Sequence, residues 1–182
     1  MNTLEATMAP QQERVLSLWL YEEGPYPNNP RLPALLYHQA FEPTRDDLAF
    51  TIERTFEKNG WSNGWRDGVY AFHHYHSTVH EVLGCYQGSA TLQLGGPGGP
   101  IVSLTRGDVL VVPAGVAHRS DERSPDFAVV GSYAHGADWD MCSGDPDELP
   151  EVLARIASVR LPSADPVHGL AGPLLLHWRE DG

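Results

Sequence analysis

The length, composition and charge of the chain exclude several classes of protein. Its 182 residues favour a single domain, and 41% of them are hydrophobic while 20% are charged, as in ordinary globular proteins. The 24 acidic residues outnumber the 12 basic residues, which gives a formal net charge of −12 at pH 7. Because this charge repels phosphate groups, we expect neither nucleic acid nor a membrane surface as a partner.

The start of the chain and its cysteines favour a cytoplasmic location. The first 20 residues lack a basic stretch followed by an apolar one, so no secretory signal is predicted. Cys85 and Cys142 do not form a CxxC pair, and two cysteines in a chain of this length do not indicate a disulfide scaffold or a structural zinc site.

In chain order, a short polar segment precedes one domain. Its composition predicts a flexible N-terminus over 1–15, followed by a single domain over 16–182. Apolar runs at 16–21 and 34–40 predict two extended segments. We find no internal repeat, so one barrel is expected instead of two.

Two helices are predicted around the strands. Leu48, Ile52 and Phe56 recur every four residues, so they form one apolar stripe of a helix over 44–58 that packs on the outside of a sheet. A similar apolar pattern predicts a shorter helix over 146–158.

The middle of the chain, about 68–135, carries the pattern of a β-barrel core. Short β-rich runs are separated by Gly, Pro, Ser and Asp at the roughly 8–12-residue spacing of sandwiches and barrels. The predicted strands cover 70–76, 81–86, 90–94, 101–104, 109–112 and 127–133. The fold class is therefore all-β, with one or two peripheral helices and extended termini.

Histidines and one glutamate are concentrated where two of these strands meet. The cluster comprises His73, His74, His76, His80 and Glu81. In a strand, positions 74 and 76 share a face, and a tight turn after them returns Glu81 to the same place. His118, after a Pro-Ala-Gly loop, supplies a further imidazole. Three imidazoles and one carboxylate suit Fe, Mn, Co, Ni, Cu or Zn, and they leave two octahedral positions open to water, oxygen or substrate.

The spacing of these residues resembles the two sequence motifs of the cupin superfamily. The matching positions are Gly68, His74, His76, Glu81 and Gly88 for the first motif, and Gly107, Pro113, Gly115 and His118 for the second. This resemblance implies a conical jelly-roll β-barrel of two antiparallel sheets, and commonly a homodimer. It also implies one divalent transition metal per chain, held by His74, His76, Glu81 and His118.

Three local segments are similar to the bacterial YjlB-like branch of the cupins. These segments read HYHSTVHEVLG, GDVLVVPAGVAH and, at 138–140, DWD. The similarity extends from about Trp19 to Trp178 and implies a single-domain cupin, but it does not imply a particular reaction.

Two positions leave alternatives open. The first motif also accepts a ligand one residue earlier, so His80 is an alternative to Glu81, although the distance to Gly88 favours Glu81. Glu122 stands where the second motif usually has Asn. It shares strand parity with His118, so it is a candidate catalytic acid or base, or alternatively a solvated charge.

A further group of residues is predicted to contact the substrate. The candidates are His80, Cys85, Tyr37 and His38. Cys85 has the parity of Glu81 and can also be a small apolar filler of the barrel. Possible anchors for a substrate carboxylate or phosphate are Arg66, Arg106 and Arg119, although solvated surface is the favoured interpretation for each.

These observations predict a metal-dependent enzyme that acts on a small oxygenated organic molecule. A dioxygenase-like oxidoreductase is favoured over a metal-dependent isomerase or enolising enzyme. A non-catalytic cupin that binds a small ligand is the third alternative, and fold analogy alone does not choose among them.

Overall fold

The structure, a computed structural model, describes residues 14–179 and contains two antiparallel β-sheets. The strands in this part of the chain are β1 (Arg14–Leu20), β2 (Asn29–His38), β3 (Trp61–Asp67), β4 (Glu81–Gln87), β5 (Ser89–Leu94), β6 (Ile101–Thr105), β7 (Val109–Val112), β8 (His118–Arg123) and β9 (Ala128–Ala134). The helices are α1 (Leu48–Lys58), α2 (Leu149–Ser158), preceded by a 3₁₀ turn at Pro146–Glu148, and α3 (Leu174–His177). The predicted all-β jelly-roll barrel with few helices is confirmed.

The two sheets differ in size. The larger sheet has the order β1-β2-β7-β4-β9-β3, and the smaller has the order β6-β5-β8. An apolar cluster that includes Leu36, Leu83 and Leu110 from the larger sheet and Leu92 and Leu104 from the smaller one lies between them. The sheets are therefore held together as two layers around one core.

The larger sheet is buried on both faces. Along β7, Leu110 and Val112 belong to the core between the sheets, whereas Val109 and Val111 pack on the other face. Helix α1 covers that outer face, and the C-terminal segment adds Trp178 to it. Burial on both sides explains why β7 reads as an unbroken apolar run in the sequence.

Several sequence predictions are corrected at their edges. The predicted flexible segment 1–15 lies outside the described residues except for its last two positions, which begin β1. Strand β3 was not predicted, whereas the predicted strand over 70–76 reduces to isolated bridges at His74 and Tyr75. Helix α1 begins at Leu48 instead of residue 44, because the Thr44 hydroxyl donates to Glu42 Oε1 and caps no helix. Among residues 14–179, no helix is long and apolar enough to cross a membrane.

Candidate metal centre

The candidate site lies where the segment around His74 crosses the start of β8. The backbone N–H of His74 donates to the carbonyl of His118 at 3.2 Å, and the N–H of His118 donates back at 2.9 Å. The N–H of Gly115 then donates to the carbonyl of His76 at 2.8 Å. These bonds fix an irregular segment against a strand, so the three imidazoles come from a rigid backbone.

Three buried imidazoles converge at this crossing. One ring nitrogen from each of His74, His76 and His118 lies within 4.8 Å of the other two. Each Nδ1 is directed at a backbone carbonyl, so it carries the proton and donates. The accepting carbonyls belong to Phe72, Asp140 and Val116, respectively. This tautomer leaves every Nε2 lone pair free, which is the arrangement found in metal-binding histidines.

The Glu81 carboxylate completes the group. Its Oε2 lies 3.5 Å from His76 Nε2 and 3.2 Å from His118 Nε2, and the side chain is 3% exposed. With the Nδ1–H tautomer neither imidazole has a proton to give, and Glu81 Oε2 has no hydrogen-bond partner in the described chain. A buried carboxylate oxygen without a donor is costly. This oxygen faces two of the three imidazoles, and together with the three converging ring nitrogens it offers a set of four donor atoms that fits a metal cation.

The protonation states of the group suit the same role. Burial lowers the pKa of His74 to about 3, and His118 adds to the effect. Burial also opposes a charge on His76, but the Glu81 carboxylate outweighs it and raises the pKa of His76. Burial likewise disfavours ionised Glu81, yet the two nearby imidazoles together lower its pKa. The carboxylate is therefore ionised and His74 is neutral, as metal ligands must be, whereas the proton that Glu81 favours on His76 has to leave when a metal binds.

The structure places Glu81, and not His80, beside the three imidazoles. The His80 ring points to the opposite side of the chain and packs on Trp178, with ring centroids 4.7 Å apart. Its Nδ1 accepts a hydrogen bond from the N–H of Ala114 at 2.9 Å. His80 therefore lies outside the cavity described next, and its predicted place as a ligand or substrate contact is corrected.

A cavity of about 370 Å³ opens over the four candidate ligands. Most of its remaining wall is apolar or aromatic and includes Trp65, Leu83, Tyr133, Trp139 and Met141. Tyr133 is the cross-strand partner of Glu81, and its hydroxyl accepts a hydrogen bond from Trp65 Nε1 at 2.9 Å. Burial, reinforced by the charge of Glu81, raises the pKa of Tyr133, so its hydroxyl stays protonated.

The predicted acid or base Glu122 does not face this cavity. Leu92 of β5 pairs with Ser120, but Ala90, two residues earlier, pairs with Arg123, three residues later. The extra residue is a β-bulge, and it reverses the alternation of β8 after Ser120. As a result Arg123 lines the cavity and Glu122 does not, although both residues are exposed, which differs from the parity assumed from His118.

The other candidate substrate contacts also lie away from the cavity. Tyr37 is buried on the outer face of the larger sheet, where its hydroxyl donates to Asp165 Oδ2 at 2.7 Å. His38 is at the exposed end of β2, with Nδ1 3.8 Å from Asp108 Oδ2. Cys85 does face inward, but it is packed in the core between the sheets. The position of Cys85 agrees with the alternative interpretation, a small apolar filler of the barrel, whereas Tyr37 and His38 lie away from the cavity because strand pairing decides which face of the sheet a residue occupies.

Of the three candidate arginine anchors, only Arg66 lines the cavity. It is held by Glu53, to which it donates two hydrogen bonds of 2.5 and 2.6 Å. Arg106 donates to backbone carbonyls, and Arg119 donates to Gln93. Their side chains are therefore engaged elsewhere.

Asp140 contacts the candidate site, although the sequence analysis left it without a role. Its carbonyl holds His76 Nδ1, while its carboxylate accepts hydrogen bonds from the N–H and hydroxyl of Ser77. The carboxylate also accepts from Thr78. The DWD segment at 138–140 was the signal that could have indicated Asp140. The contact with His76 was not predictable from spacing, because the two residues are 64 positions apart.

Comparison with known proteins gives one close relative. The chain is 41% identical over 157 residues to the uncharacterized protein YjlB of Bacillus subtilis (strain 168), which covers 86% of this chain and 92% of that protein. No family model matches the chain.

Similar solved structures include two proteins with the double-sheet fold. Acireductone dioxygenase from Bacillus anthracis, with a cadmium ion in its active centre, is 17% identical over 50% of this chain and 61% of its own, with a TM-score of 0.38. A cupin 2 domain-containing protein from Halorhodospira halophila is 15% identical over 86% of this chain and 89% of its own, with a TM-score of 0.35.

Proposed function

We propose that this chain, which belongs to the YjlB-like branch of the cupins, is a metal-dependent enzyme acting on a small oxygenated organic molecule. The observation that carries the proposal is the convergence of three buried Nε2 lone pairs and an unpartnered carboxylate oxygen at the floor of a cavity. A structural site would be closed by its ligands, whereas this one faces open space on one side.

His74, His76, His118 and Glu81 would hold one divalent transition metal. Imidazole and carboxylate donors suit Fe, Mn, Co, Ni, Cu and Zn, and the metal would supply Lewis-acid or redox chemistry according to its identity. Glu81 would balance part of its charge, and the three backbone carbonyls would keep the imidazoles in the ligating tautomer.

The walls of the cavity support a dioxygenase-like oxidoreductase as the favoured reaction. Trp65, Leu83 and Trp139 line the cavity over the candidate ligands with apolar surface, which would displace water from a bound apolar substrate. Tyr133 would orient the substrate by donating its protonated hydroxyl.

Tyr133 also favours a second candidate function, an isomerase or enolising enzyme. A protonated phenol beside the ligand group can donate a hydrogen bond to a carbonyl or enol oxygen and hold or return a proton there. Glu122 does not line the cavity, so we propose Tyr133, the cross-strand partner of Glu81, as a proton-bearing side chain that both reactions would use.

Metal analysis of protein purified without chelator tests the proposal first. We expect close to one transition metal per chain in the native protein, and strong loss in His76→Ala because one of four donors is removed. Glu122→Gln, on the exposed side of β8, is the matched control and should keep full occupancy. Less than about 0.2 metal per chain after reconstitution would refute the metal centre.

The reaction is tested with the metal-loaded protein. We expect oxygen consumption by the Fe(II) form with a member of a panel of diketones, enols and catechols, and loss of it in Tyr133→Phe. Deuterium uptake from D₂O into a ketone by the Zn or Mn form, without oxygen consumption, would instead establish the enolising function. Tight binding of a panel member with neither change would establish a non-catalytic ligand-binding protein.

We further propose that the chain forms a homodimer through the edge strand β1. Leu16, Trp19 and Tyr21, in and just after this strand, are exposed to 45%, 48% and 63%. An apolar edge of this kind is normally covered by a partner. Sedimentation should give twice the chain mass for the native protein and the single-chain mass for Trp19→Arg, and a monomeric native protein would contradict the proposal.

A further inference from the structure

One arginine in the cavity wall has no acidic partner in the described chain. Arg123 is an exposed residue that lines the cavity, as Asp67 also does, and the hydrogen bond found for it among residues 14–179 is a long one, from Nη1 to the Val69 carbonyl at 3.5 Å. Arg66, the other arginine in the wall, is tied to Glu53 by two short hydrogen bonds. The guanidinium of Arg123 therefore offers unused donors to a ligand.

Two features of the fold direct the Arg123 guanidinium to the cavity that the candidate metal ligands also line. The β-bulge of β8 turns Arg123 to the face that carries His118 and Ser120. Opposite the guanidinium stands Gly68, where a Cβ atom would lie 3.0 Å from Nη1. A larger residue at position 68 would push the side chain away, so this glycine leaves the space that Arg123 occupies.

The other side chains of the cavity wall indicate the shape and polarity of the ligand. The Trp139 ring stacks on Tyr133, with centroids 6.3 Å apart and an interplanar angle of 28°, and it meets His76 edge-on at 5.6 Å. Trp65 and Leu83 extend the apolar surface. A flat apolar group packs well against such rings, whereas a strongly hydrated one would lose its water without compensation.

We propose that the cavity binds a small organic carboxylate with an aromatic or similarly flat apolar body, whose carboxylate pairs with Arg123. A guanidinium and a carboxylate match in geometry and form paired, charge-assisted hydrogen bonds. The opposite end of the ligand faces His74, His76 and His118, so the inference rests on the proposed function for the role of that end. This inference adds the class of substrate, which the four candidate metal ligands alone do not define.

A matched pair of probes tests the inference. Phenylacetate and phenylacetamide have nearly the same size and differ in charge, and their binding is followed by tryptophan fluorescence because Trp65 and Trp139 line the cavity. Titrations use the zinc-loaded and the metal-free protein. We expect native protein to bind the acid at least about tenfold more tightly than the amide in both forms, since a charge-assisted pair is worth about that factor.

Variants then test whether the preference for the acid over the amide depends on Arg123. Arg123→Gln should remove it by weakening the acid about tenfold with little effect on the amide, and Arg123→Lys should restore it in part. Arg66→Gln is the matched control, an arginine of the same wall that is already paired, and should keep the preference. Circular dichroism and thermal melting confirm that each variant is folded.

The outcomes separate this inference from the proposed function. Equal affinity for acid and amide, or an Arg66→Gln loss as large as that of Arg123→Gln, overturns the carboxylate assignment even if zinc is bound. Absence of zinc uptake with an intact, Arg123-dependent preference overturns the metal centre and leaves the carboxylate site standing.

Discussion

At the scale of single residues, the three imidazoles depend on their backbone surroundings in two different ways. The Nδ1 atoms of His74 and His118 each donate to the carbonyl two residues earlier, so their orientation is set locally. His76 donates to the carbonyl of Asp140, which is 64 residues away. Of the three, His76 is therefore the imidazole whose orientation depends on a distant loop.

Substitution of Asp140 tests this dependence. Asp140→Ala removes the carboxylate that holds Ser77 and Thr78, so the carbonyl that orients His76 should lose its position. We expect about 10–100-fold weaker metal affinity, as for other losses of support behind a ligand, measured by competition with a chromogenic chelator. Asp138→Ala is the control, because only the backbone carbonyl of Asp138 takes part in the hydrogen bonds of this turn, and unchanged affinity in Asp140→Ala would contradict the prediction.

The two cysteines provide a second residue-scale prediction. Burial raises the pKa of Cys85 to about 12, and burial together with the Asp140 charge raises that of Cys142. Since a raised pKa keeps a thiol protonated at pH 8, and the thiolate is the reactive form, both should be inert in the folded protein. Ellman's reagent should find no fast thiol in native protein and two after denaturation; rapid native labelling would refute the burial of these side chains.

At the scale of elements, the sequence pattern predicted those strands whose limits are set by local turn residues. It failed for strands whose position depends on pairing with distant strands. Strands β4 to β7 were predicted within a residue or two, because turn residues flank each apolar run. Strand β3 was missed, since its sequence WSNGWRD has no apolar alternation and its pairing slips between Ser62 and Trp65. The ligand cluster was predictable from spacing, because His74 and His76 need only an extended segment to share a face.

Two further failures at the site have the same physical origin. The bulge that directs Arg123 instead of Glu122 to the cavity arises from the pairing of β8 with β5, and no residue in the local sequence indicates it. Similarly, β2 does not reveal which of its two buried faces is the outer one, so Tyr37 was assigned to the wrong side.

The contact of helix α1 with the larger sheet gives a prediction at this scale. A Cβ atom on Gly84 of β4 would lie 2.6 Å from Ile52 Cγ2 and 3.1 Å from Phe56 Cζ. Gly84→Ala should therefore push the helix outward and lower the free energy of unfolding by about 1–3 kcal/mol, the usual range for overpacking. Urea denaturation measures it, with exposed Ser103→Ala as the control; an unchanged midpoint would mean that α1 adjusts at no cost.

At the scale of the whole molecule, the candidate ligands connect the two sheets. His118 begins a strand of the smaller sheet, Glu81 begins one of the larger sheet, and His74 and His76 lie on the segment between β3 and β4. Without a cation, the buried Glu81 oxygen lacks a donor at the centre of this junction. A metal bound there would satisfy it and would join both layers at once.

Metal should therefore stabilise the folded chain as a unit. A ligand that binds only the folded state at 100 times its Kd adds about 2.7 kcal/mol, which for a chain of this size raises Tm by roughly 5–10 °C. Calorimetry of chelator-treated protein with added zinc should show this rise, and magnesium, which prefers oxygen donors in octahedral geometry, should not. His118→Ala removes a donor from the smaller sheet, so its Tm should no longer respond to zinc, whatever its own starting value. A zinc-dependent rise of equal size in His118→Ala would place the stabilising metal elsewhere on the molecule.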